Sequence, residues 1–399
     1  MSVLYSSSVR QVPISETLRH ARVFAQKLGI TRVTDVTRLD RVGVPVFCSI
    51  RPGAQPGSLC VNAGKGLTAE EAQAGAYMEA IEFAFAEYGV SSIKPILKTP
   101  RDLSENILDF CPIQKKLISL NAPLQCVEAE EVLTGNQALV PAQLVFLPYP
   151  ASLNGIRVFG SSSNGLSSGN SILEASIHGI AEVIERDISA FQLFRDMSVL
   201  VLPSSFPQSI RAVADVVHEA GLQLFVRYFA NQFGVPFFKA VVCDLMEYNP
   251  IYVCAGFGCH VDRNIAITRA VCEAMQSRLS FIHGGRDDLT KRYDEFRGWD
   301  QLKIQEYTTN LIQRAASNTG TITFDDVPSP CENTSNLQEV FAALIEVLHR
   351  TGFHRIYRVV LTKPSDPLHV VRTLIPKLEC YDPGLGRVGV RLADHVWKQ

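Results

Sequence analysis

The pattern of apolar and polar positions predicts a chain in which strand-like runs alternate with long helices. Six runs have the length and the apolar content of strands: QALVPAQLVFL, LQLFVRYF, PFFKAVVCDL, IYVCAGFGCHV, HRIYRVVLT and LHVVRTLI. Many of them come in neighbouring pairs with short polar breaks, as antiparallel strands do. The pattern therefore predicts a mixed α/β (α+β) fold built on antiparallel sheets rather than on a doubly wound parallel sheet.

The N-terminal region has its own pattern. An amphipathic helix that ends at Gly29 is predicted by the periodicity of ISETLRHARVFAQKLG. A strand is predicted for GVPVFCSI, and the glycines and prolines of RPGAQPG then predict a break. We therefore predict an N-terminal appendage over residues 1–57 and one main domain over residues 58–399. A surface loop is expected at about residues 316–335.

Two long helical segments are copies of each other. GKGLTAEEAQAGAYMEAIEFAFAE and SGNSILEASIHGIAEVIERDISAF align without a gap at an offset of 103 residues. The acids that coincide are Glu71 with Glu174, Glu79 with Glu182, and Glu82 with Glu185. A third copy, RNIAITRAVCEAMQSRL, lies 91 residues further along and keeps Glu273 but has Gln276 in place of the second acid. The repeat predicts three small-residue helices that end in E-x-x-[EQ] and lie closely on a sheet.

The paired acids indicate a cation site. Carboxylates three residues apart share one face of a helix, and here the neighbouring positions are small or apolar. Like charges so placed repel each other unless a cation or a proton relieves them. One or two hard oxygen ligands from each helix, completed by phosphate and water, suit magnesium bound to a nucleotide. One such pair would more often be a solvated helix face, but two pairs in register favour the metal site.

Turns ahead of these helices supply candidate phosphate contacts. SSSNGLSSGNS precedes the second helix and offers amides, hydroxyls and a positive helix end, although it is not a Walker A motif. Lys65 lies in the corresponding GKG of the first copy. Arg186 and Arg278 are further candidate cations, although such residues more often form surface ion pairs.

Composition narrows the class of protein. The chain has 399 residues, of which 46% are hydrophobic and 20% charged, and its formal net charge is −2. This charge gives no overall attraction to nucleic acid or to an anionic membrane. No apolar run reaches the ~18 residues of a membrane span, and no signal peptide pattern is present. The ten cysteines contain no C-x-x-C pair, which disfavours zinc and predicts small buried side chains in a cytoplasmic protein.

Taken together, these segments resemble the YcaO-domain family. SNGLSSGNSILEASIHGIAEVIERD is similar to the central signature of that family, and GKGLTAEEAQAGAYMEAIE to its earlier glutamate pair. CEAMQSRLSFIHGGRDD and VVRTLIPKLE resemble segments of the branch that occurs with TfuA-type partners. The resemblance covers roughly residues 58–395. It implies a mixed α/β fold with an ATP cradle that is neither a P-loop nor a kinase fold, and it implies ATP and Mg²⁺ as cofactors.

The resemblance also implies roles for individual residues. Four acids match the magnesium-binding glutamates of the family: Glu79, Glu82, Glu182 and Glu185. Four residues match its nucleotide-contacting positions: Ser167, Asn170, Glu174 and Arg186. Lys65 and Arg278 are assigned to ATP on a looser match.

The family uses ATP to phosphorylate a backbone amide oxygen of a peptide after a nucleophile has attacked the carbonyl. Thioamide formation, with sulfide as nucleophile and a TfuA-like partner, is the activity we expect here. The C-terminal RLADHVWKQ lacks the Pro-rich tail of many azoline-forming members, and no fused peptide-docking domain is expected. Azoline-forming cyclodehydration is the alternative activity, and a non-catalytic peptide-binding scaffold is the alternative of another class. The expected partners are a peptide or protein substrate and a TfuA-like protein, with a homodimer left open.

Overall fold

The computed structural model describes residues 2–114, 117–246, 248–384 and 386–397. Within these ranges the α-helices are α1 (Ile14–Lys27), α2 (Ala69–Ala86), α3 (Ile172–Gln192), α4 (Gln208–Glu219), α5 (Arg263–His283), α6 (Thr290–Glu295), α7 (Gln301–Ala316), α8 (Leu337–Arg350) and α9 (Val390–Trp397). The strands are β1 (Val3–Leu4), β2 (Val9–Arg10), β3 (Arg32–Asp35), β4 (Val46–Ile50), β5 (Val61–Lys65), β6 (Ile96–Lys98), β7 (Leu124–Glu131), β8 (Gln137–Pro141), β9 (Leu166–Gly169), β10 (Val199–Val201), β11 (Gln223–Tyr228), β12 (Phe237–Cys243), β13 (Cys254–Cys259), β14 (Thr321–Ile322), β15 (Tyr357–Val360) and β16 (His369–Leu374).

The chain divides into two compact units, and the first comprises residues up to 53, 59–80 and 197–339. It contains a five-stranded sheet in the order β13-β12-β11-β10-β14 and a three-stranded sheet in the order β3-β4-β5. Every pair in these two sheets is antiparallel except β10 with β14. Helix α5 packs against β12 and β13, and α4 packs against β11. Apolar residues of α4 at helical spacing, Ile210, Val213 and Val217, are buried in this core.

The second unit comprises residues 54–58, 81–196 and 340–399. Its sheet has the order β6-β7-β15-β16-β9, with β8 paired to β7, and every pair is antiparallel. Helix α3 packs against β9 and β16. The side chains of Ile180 and Ile184, four residues apart on α3, are fully buried. This packing fixes the position of the helix that bears Glu182 and Glu185.

The predicted α/β fold with antiparallel sheets is confirmed, and most strand-like runs became strands. QALVPAQLVFL is an exception, because its strand ends at Pro141 and a 3₁₀ turn follows over Ala142–Leu144. Proline cannot donate a ladder hydrogen bond, which accounts for the end of the strand there. The expected loop at 316–335 contains the two-residue strand β14. The boundary between an appendage at 1–57 and a domain at 58–399 stays a prediction; residues before it supply β3 and β4, which form one sheet with β5.

Two further sequence-based expectations can be compared with the structure. None of the helices in the described part of the chain is long and apolar enough to cross a membrane. All ten cysteines are outside disulfides, and seven of them are buried. Burial raises the pKa of thiols such as Cys272, to about 12. These buried cysteines therefore act as small apolar side chains, as predicted.

Candidate functional site

Three strand–helix pairs contain the repeated pattern: β5 with α2, β9 with α3, and β13 with α5. The second copy lies 103 residues after the first and the third lies 91 residues after the second, hence 194 residues after the first. Each of the three strands lies at one end of the strand order of its sheet, within the ranges that the structure describes. The repeat in the sequence is therefore a repeat of structure, in which a helix follows a terminal strand.

Small residues hold helix and strand at backbone contact in the first and third copies. A Cβ atom on Gly64 would lie 2.0 Å from the amide nitrogen of Ala76 and 2.1 Å from the carbonyl oxygen of Ala72. Gly258, 194 residues later, is in the same situation: its Cβ would lie 2.1 Å from the carbonyl oxygen of Ala266. Because these atoms belong to the backbone, a side chain at either glycine would push the helix away from its strand.

The second copy replaces this glycine with a serine. Ser167, which corresponds to Gly64, is buried, and its hydroxyl donates a 2.8 Å hydrogen bond to the carbonyl oxygen of Ala175. A Cβ on Gly179, one turn further along α3, would lie 2.7 Å from this hydroxyl and 2.5 Å from the Oγ1 of Thr373. Ser167 thus joins β9 to α3. Its predicted role as a nucleotide contact stays a prediction.

Buried acids lie in the first turns of α2 and α3. Glu71 accepts hydrogen bonds from the hydroxyls of Ser6, at 2.8 Å, and Ser7, at 3.0 Å. Its counterpart Glu174 accepts two from the amide of Asn170, at 3.0 and 3.1 Å. A negative charge at a helix N-terminus is favourable, and these donors compensate for its burial. Asn170 and Glu174, both assigned to nucleotide binding from the sequence, are therefore held together.

The first acids of the E-x-x-[EQ] motif bond to the terminal strands in two copies. Glu79 accepts a 2.8 Å hydrogen bond from the backbone N–H of Ala63, and Glu273 accepts a 3.3 Å bond from that of Phe257, the equivalent residue. Burial raises the pKa of the Glu79 carboxyl, and the Arg286 guanidinium is the largest opposing influence. Burial therefore disfavours the ionised form of Glu79, and a neighbouring cation favours it.

Lys65 and Arg278 both form ion pairs within the first unit. The Nζ of Lys65 lies 2.5 Å from the Oε2 of Glu273. Arg278 binds Asp40 with two hydrogen bonds, at 2.8 and 3.2 Å, and both side chains are less than one tenth exposed. A buried bidentate pair of this kind is a structural contact. The assignment of either residue to ATP stays a prediction.

The glutamine of the third copy has a definite partner. The Nε2 of Gln276, a buried residue, donates a 3.0 Å hydrogen bond to the carbonyl oxygen of Ala63. An ionised glutamate has no hydrogen to donate, so it could not make this bond. The loss of the second acid in this copy is thus explained by a bond from α5 to the terminal strand β5.

Replacing Gln276 with glutamate is expected to lower the free energy of unfolding by about 1–3 kcal/mol, because it leaves a buried acceptor unpaired and brings a charge beside it. Urea unfolding followed by circular dichroism measures the loss, which should shrink at mildly acidic pH, where the new carboxyl is protonated. Gln305→Glu, on the exposed surface of α7, is the matched control and should change stability little. Equal stability of Q276E and wild type at neutral pH would contradict this role for Gln276.

In the second unit, a buried arginine lies beneath the acids. The hydroxyl of Ser168 donates a 2.5 Å hydrogen bond to Glu82. Arg372 on β16 is fully buried and donates to the carbonyl oxygens of Asn164, at 2.9 Å, and Val145, at 3.2 Å. Two neutral carbonyls leave the guanidinium charge uncompensated by any hydrogen-bonded carboxylate. The site therefore combines surface acids with a fixed positive charge below them.

Electrostatics tie this arginine to the predicted metal ligands. Burial lowers the pKa of Arg372 to about 10, and the carboxylates of Glu182 and, more weakly, Glu82 oppose that shift. Glu185 follows one turn after Glu182 on α3, and both are partly exposed. The Nη2 of Arg186 lies 3.6 Å from Glu182, and 53% of the Arg186 side chain is exposed. Arg186 is thus an accessible cation beside the acids.

The acids of the second unit suit a metal ion that is also bound by phosphate oxygens and water. Among the described residues, no three Asp, Glu, His or Cys side chains are placed so that they could hold a metal ion by themselves. Magnesium in nucleotide sites takes one or two carboxylates and completes its shell with phosphate oxygens and water. The acids of the second unit, with Arg372 and Arg186 nearby, fit this donor set.

Three residues near the acids have no role assigned from the sequence. In the first unit, Arg286 acts electrostatically on Glu79. In the second unit, Ser168 bonds Glu82, and the pKa of Arg372 responds to Glu182 and Glu82. Arg372 lies in VVRTLI, where a charged residue within an apolar strand-like run was the available signal. A buried arginine needs hydrogen-bond partners, so an arginine in an apolar run indicates a polar site inside the protein.

A comparison with protein families matches residues 63–379 to the YcaO family, described as YcaO cyclodehydratase, ATP- and Mg²⁺-binding. Among curated proteins, an uncharacterized protein of Methanothermobacter thermautotrophicus is 33% identical over 387 residues, which is 96% of this chain and 98% of that protein. An uncharacterized protein in the tfuA 3′ region of Rhizobium leguminosarum bv. trifolii is 30% identical over 395 residues, 93% of this chain and 88% of that protein.

Among solved structures, YcaO from Methanopyrus kandleri, bound with AMPPCP and Mg²⁺, is similar to this chain in fold. It superposes with a TM-score of 0.75 at 24% sequence identity, over 97% of each chain. At that identity the similarity supports the fold.

Proposed function

The chain belongs to the YcaO family of ATP- and Mg²⁺-binding proteins, and from this we propose that it activates a backbone amide of a peptide or protein by phosphorylating its oxygen. The observation that supports the proposal is the pair of E-x-x-E helices, with Glu182 and Glu185 beside the exposed Arg186 and near the buried Arg372. ATP with Mg²⁺ supplies the phosphoryl group that turns a poor leaving group, the amide oxygen, into a good one.

The residues of the second unit have separate tasks in this proposal. Glu82, Glu182 and Glu185 supply hard oxygen ligands for Mg²⁺. Ser168 fixes the orientation of Glu82 through its hydrogen bond. Arg186 neutralises phosphate charge from the exposed side. Glu79 as a further metal ligand, and Ser167, Asn170 and Glu174 as nucleotide contacts, follow from the family match.

Fixed positive charge below the acids supports their use as metal ligands. Arg372 is buried, and it is held by backbone carbonyls, so it cannot move away when a nucleotide leaves. Its guanidinium interacts electrostatically with both Glu182 and Glu82, so it offsets part of the repulsion between acids that would share one metal ion.

Within this activity we propose thioamide formation, in which sulfide replaces the amide oxygen and a TfuA-like protein assists. The Rhizobium relative in the tfuA 3′ region, 30% identical over 395 residues, supports this choice. In this reaction the sulfur of hydrosulfide first forms a bond to the amide carbon. The former carbonyl oxygen then takes the γ-phosphoryl group from ATP, and the carbon–oxygen bond breaks as phosphate leaves and the thiocarbonyl forms. The proton of hydrosulfide leaves with the phosphate as hydrogenphosphate.

The test combines the purified chain, ATP, Mg²⁺ and sodium sulfide with the TfuA-like protein and the short peptide encoded beside its gene. Mass spectrometry of the peptide should show a gain equal to the mass difference between sulfur and oxygen, with ADP formed in equal amount. Loss of one water without added sulfide would instead indicate azoline formation. ATP binding without turnover under every condition would contradict an enzymatic role and favour a peptide-binding scaffold.

A further inference from the structure

A buried acid follows the predicted metal ligands of α3. Asp187 comes directly after Arg186 and two residues after Glu185, and it is 1% exposed. Successive residues of an α-helix are turned by about 100°, so Asp187 and Glu185 lie on nearly opposite sides of α3. Asp187 is therefore not part of the exposed face that bears the acids, and its charge needs partners inside the second unit.

Two segments of the second unit bind this carboxylate. The Nη1 of Arg391, in the first turn of α9, lies 2.6 Å from the Oδ1 of Asp187, and its Nη2 lies 3.5 Å from the Oδ2. The backbone N–H of Glu379, after β16, donates a 2.7 Å hydrogen bond to the same Oδ1. Asp187 thus joins α3 both to α9 and to the segment after β16.

Glu379 is held in place by α9. Its carboxylate, 1% exposed, accepts hydrogen bonds from the N–H groups of Gly389, at 2.6 Å, and Leu392, at 2.8 Å. These N–H groups lie at the start of α9, where a carboxylate is favourable. Leu392 is itself fully buried, which anchors α9 in the core of the unit. The backbone of Glu379 therefore binds Asp187 from a fixed position.

Arg391 is held by two aromatic rings and a carbonyl. Its guanidinium lies 5.1 Å from the ring centre of Phe191 and 5.0 Å from that of Phe353, within the range of cation–π contacts. Its Nη1 also donates a 3.1 Å hydrogen bond to the carbonyl oxygen of Lys377. Phe191 lies on α3, one turn after Asp187, so Arg391 contacts two successive turns of that helix.

These bonds fix the rotation of α3 about its axis. Apolar contacts such as those of Ile180 and Ile184 permit small rotations, whereas hydrogen bonds to a buried carboxylate are directional. Side chains reach about 5–6 Å from a helix axis, so a rotation of about 10° would move a carboxylate on the opposite side by about 1 Å. A shift of that size is enough to weaken metal and phosphate contacts. Because desolvation can offset the attraction in a buried ion pair, its effect on geometry matters more here than its effect on stability.

We propose that Asp187 is a positioning residue for the nucleotide site. Held by Arg391 and Glu379, it sets the rotation of α3 at which Glu185 and Arg186 meet MgATP. The inference rests on the proposed function, in which the acids of α3 bind Mg²⁺. Asp187 acts through the helix, from the side opposite the acids, and touches neither the metal nor the nucleotide.

The test compares Asp187→Ala with Asp262→Ala. D187A removes the carboxylate and its bonds, while alanine favours the helix, and we expect the Kd for MgATP in isothermal titration to rise about tenfold. Asp262, 2% exposed, accepts hydrogen bonds from two backbone N–H groups at the start of α5 and has no assigned part in the site. D262A is therefore the matched control, and it should keep the wild-type Kd even where it lowers stability. Wild-type affinity in D187A would overturn the proposal, and so would an equal loss in D262A.

Kinetics distinguish positioning from a general loss of structure. In the peptide assay, D187A should raise the KM for MgATP while the KM for the peptide stays at the wild-type value. Arg391→Lys keeps the charge but not the planar fork, so it should show a smaller rise of the same kind, and it decides the question if D187A does not fold. A parallel rise in both KM values would overturn the proposal. If E182Q/E185Q binds MgATP like the wild type, the proposed function fails and the positioning role with it. If that variant binds weakly while D187A binds normally, only the positioning role is overturned.

Discussion

The variant E182Q/E185Q is expected to bind MgATP on the order of 100-fold more weakly than the wild type, or worse, and to lose ATP turnover. Glutamine keeps the shape of each side chain but removes both charges that would balance Mg²⁺. The helix itself should persist, because glutamine is a good helix former and the repulsion between the two acids disappears. The change also removes the Glu182 charge that favours the charged form of Arg372, so we expect the melting temperature without nucleotide to fall only slightly.

Isothermal titration with MgATP and a coupled ADP assay measure the two effects, and differential scanning calorimetry measures stability. Glu346→Gln, an exposed acid on α8, is the matched control and should leave all three values at the wild-type level. Wild-type affinity in E182Q/E185Q would remove α3 from the nucleotide site. A fall in melting temperature of more than about 8 °C together with weaker binding would instead assign the two acids a structural role.

Replacing Gly64 with alanine is expected to lower the free energy of unfolding by about 3 kcal/mol or more. The new Cβ would lie 2.0 and 2.1 Å from backbone atoms of α2, so the helix and β5 must separate. Gly258→Ala should have a similar effect, since the same contact recurs between β13 and α5. Urea unfolding, or the soluble yield where the variant does not fold, measures the loss.

Gly53→Ala provides the control for this prediction. Gly53 has no atom within 4 Å of its would-be Cβ and no positive φ, so alanine there should be neutral or slightly stabilising. If G64A were as stable as G53A, the close contact between α2 and β5 would not exist in solution.

Much of the fold could be predicted from local signals. Paired apolar runs became antiparallel pairs such as β11 with β12 and β15 with β16. The offsets between the E-x-x-[EQ] segments predicted three similar helices that lie closely on a sheet, and in the structure each of them follows a strand. Periodicity and repetition are properties of the sequence itself, so they can be detected without knowing which residues the fold brings together.

Contacts between distant residues could not be predicted in the same way. Nothing local to Arg278 indicates Asp40, which lies 238 residues away and forms its buried ion pair. Likewise, the sequence shows Gln276 only as the residue that replaces the second acid of the motif. In the structure its amide donates a hydrogen bond to the backbone of Ala63, 213 residues earlier in the chain. Such side chains are chosen by partners that only the fold brings near, and a single sequence does not display those partners.

The bonds from helix side chains to β5 and β13 also bear on the solution behaviour of the protein. A terminal strand offers free N–H and C=O groups to which a strand of another molecule can add. Here Glu79 accepts a hydrogen bond from the N–H of Ala63, and Gln276 donates one to the carbonyl oxygen of the same residue. In β13, Glu273 accepts a hydrogen bond from the N–H of Phe257. These three side chains thereby cover polar groups at strand edges that would otherwise favour self-association. A change at Glu79 would expose such an edge as well as remove a charge, and a variant that precipitates need not have lost its affinity for nucleotide.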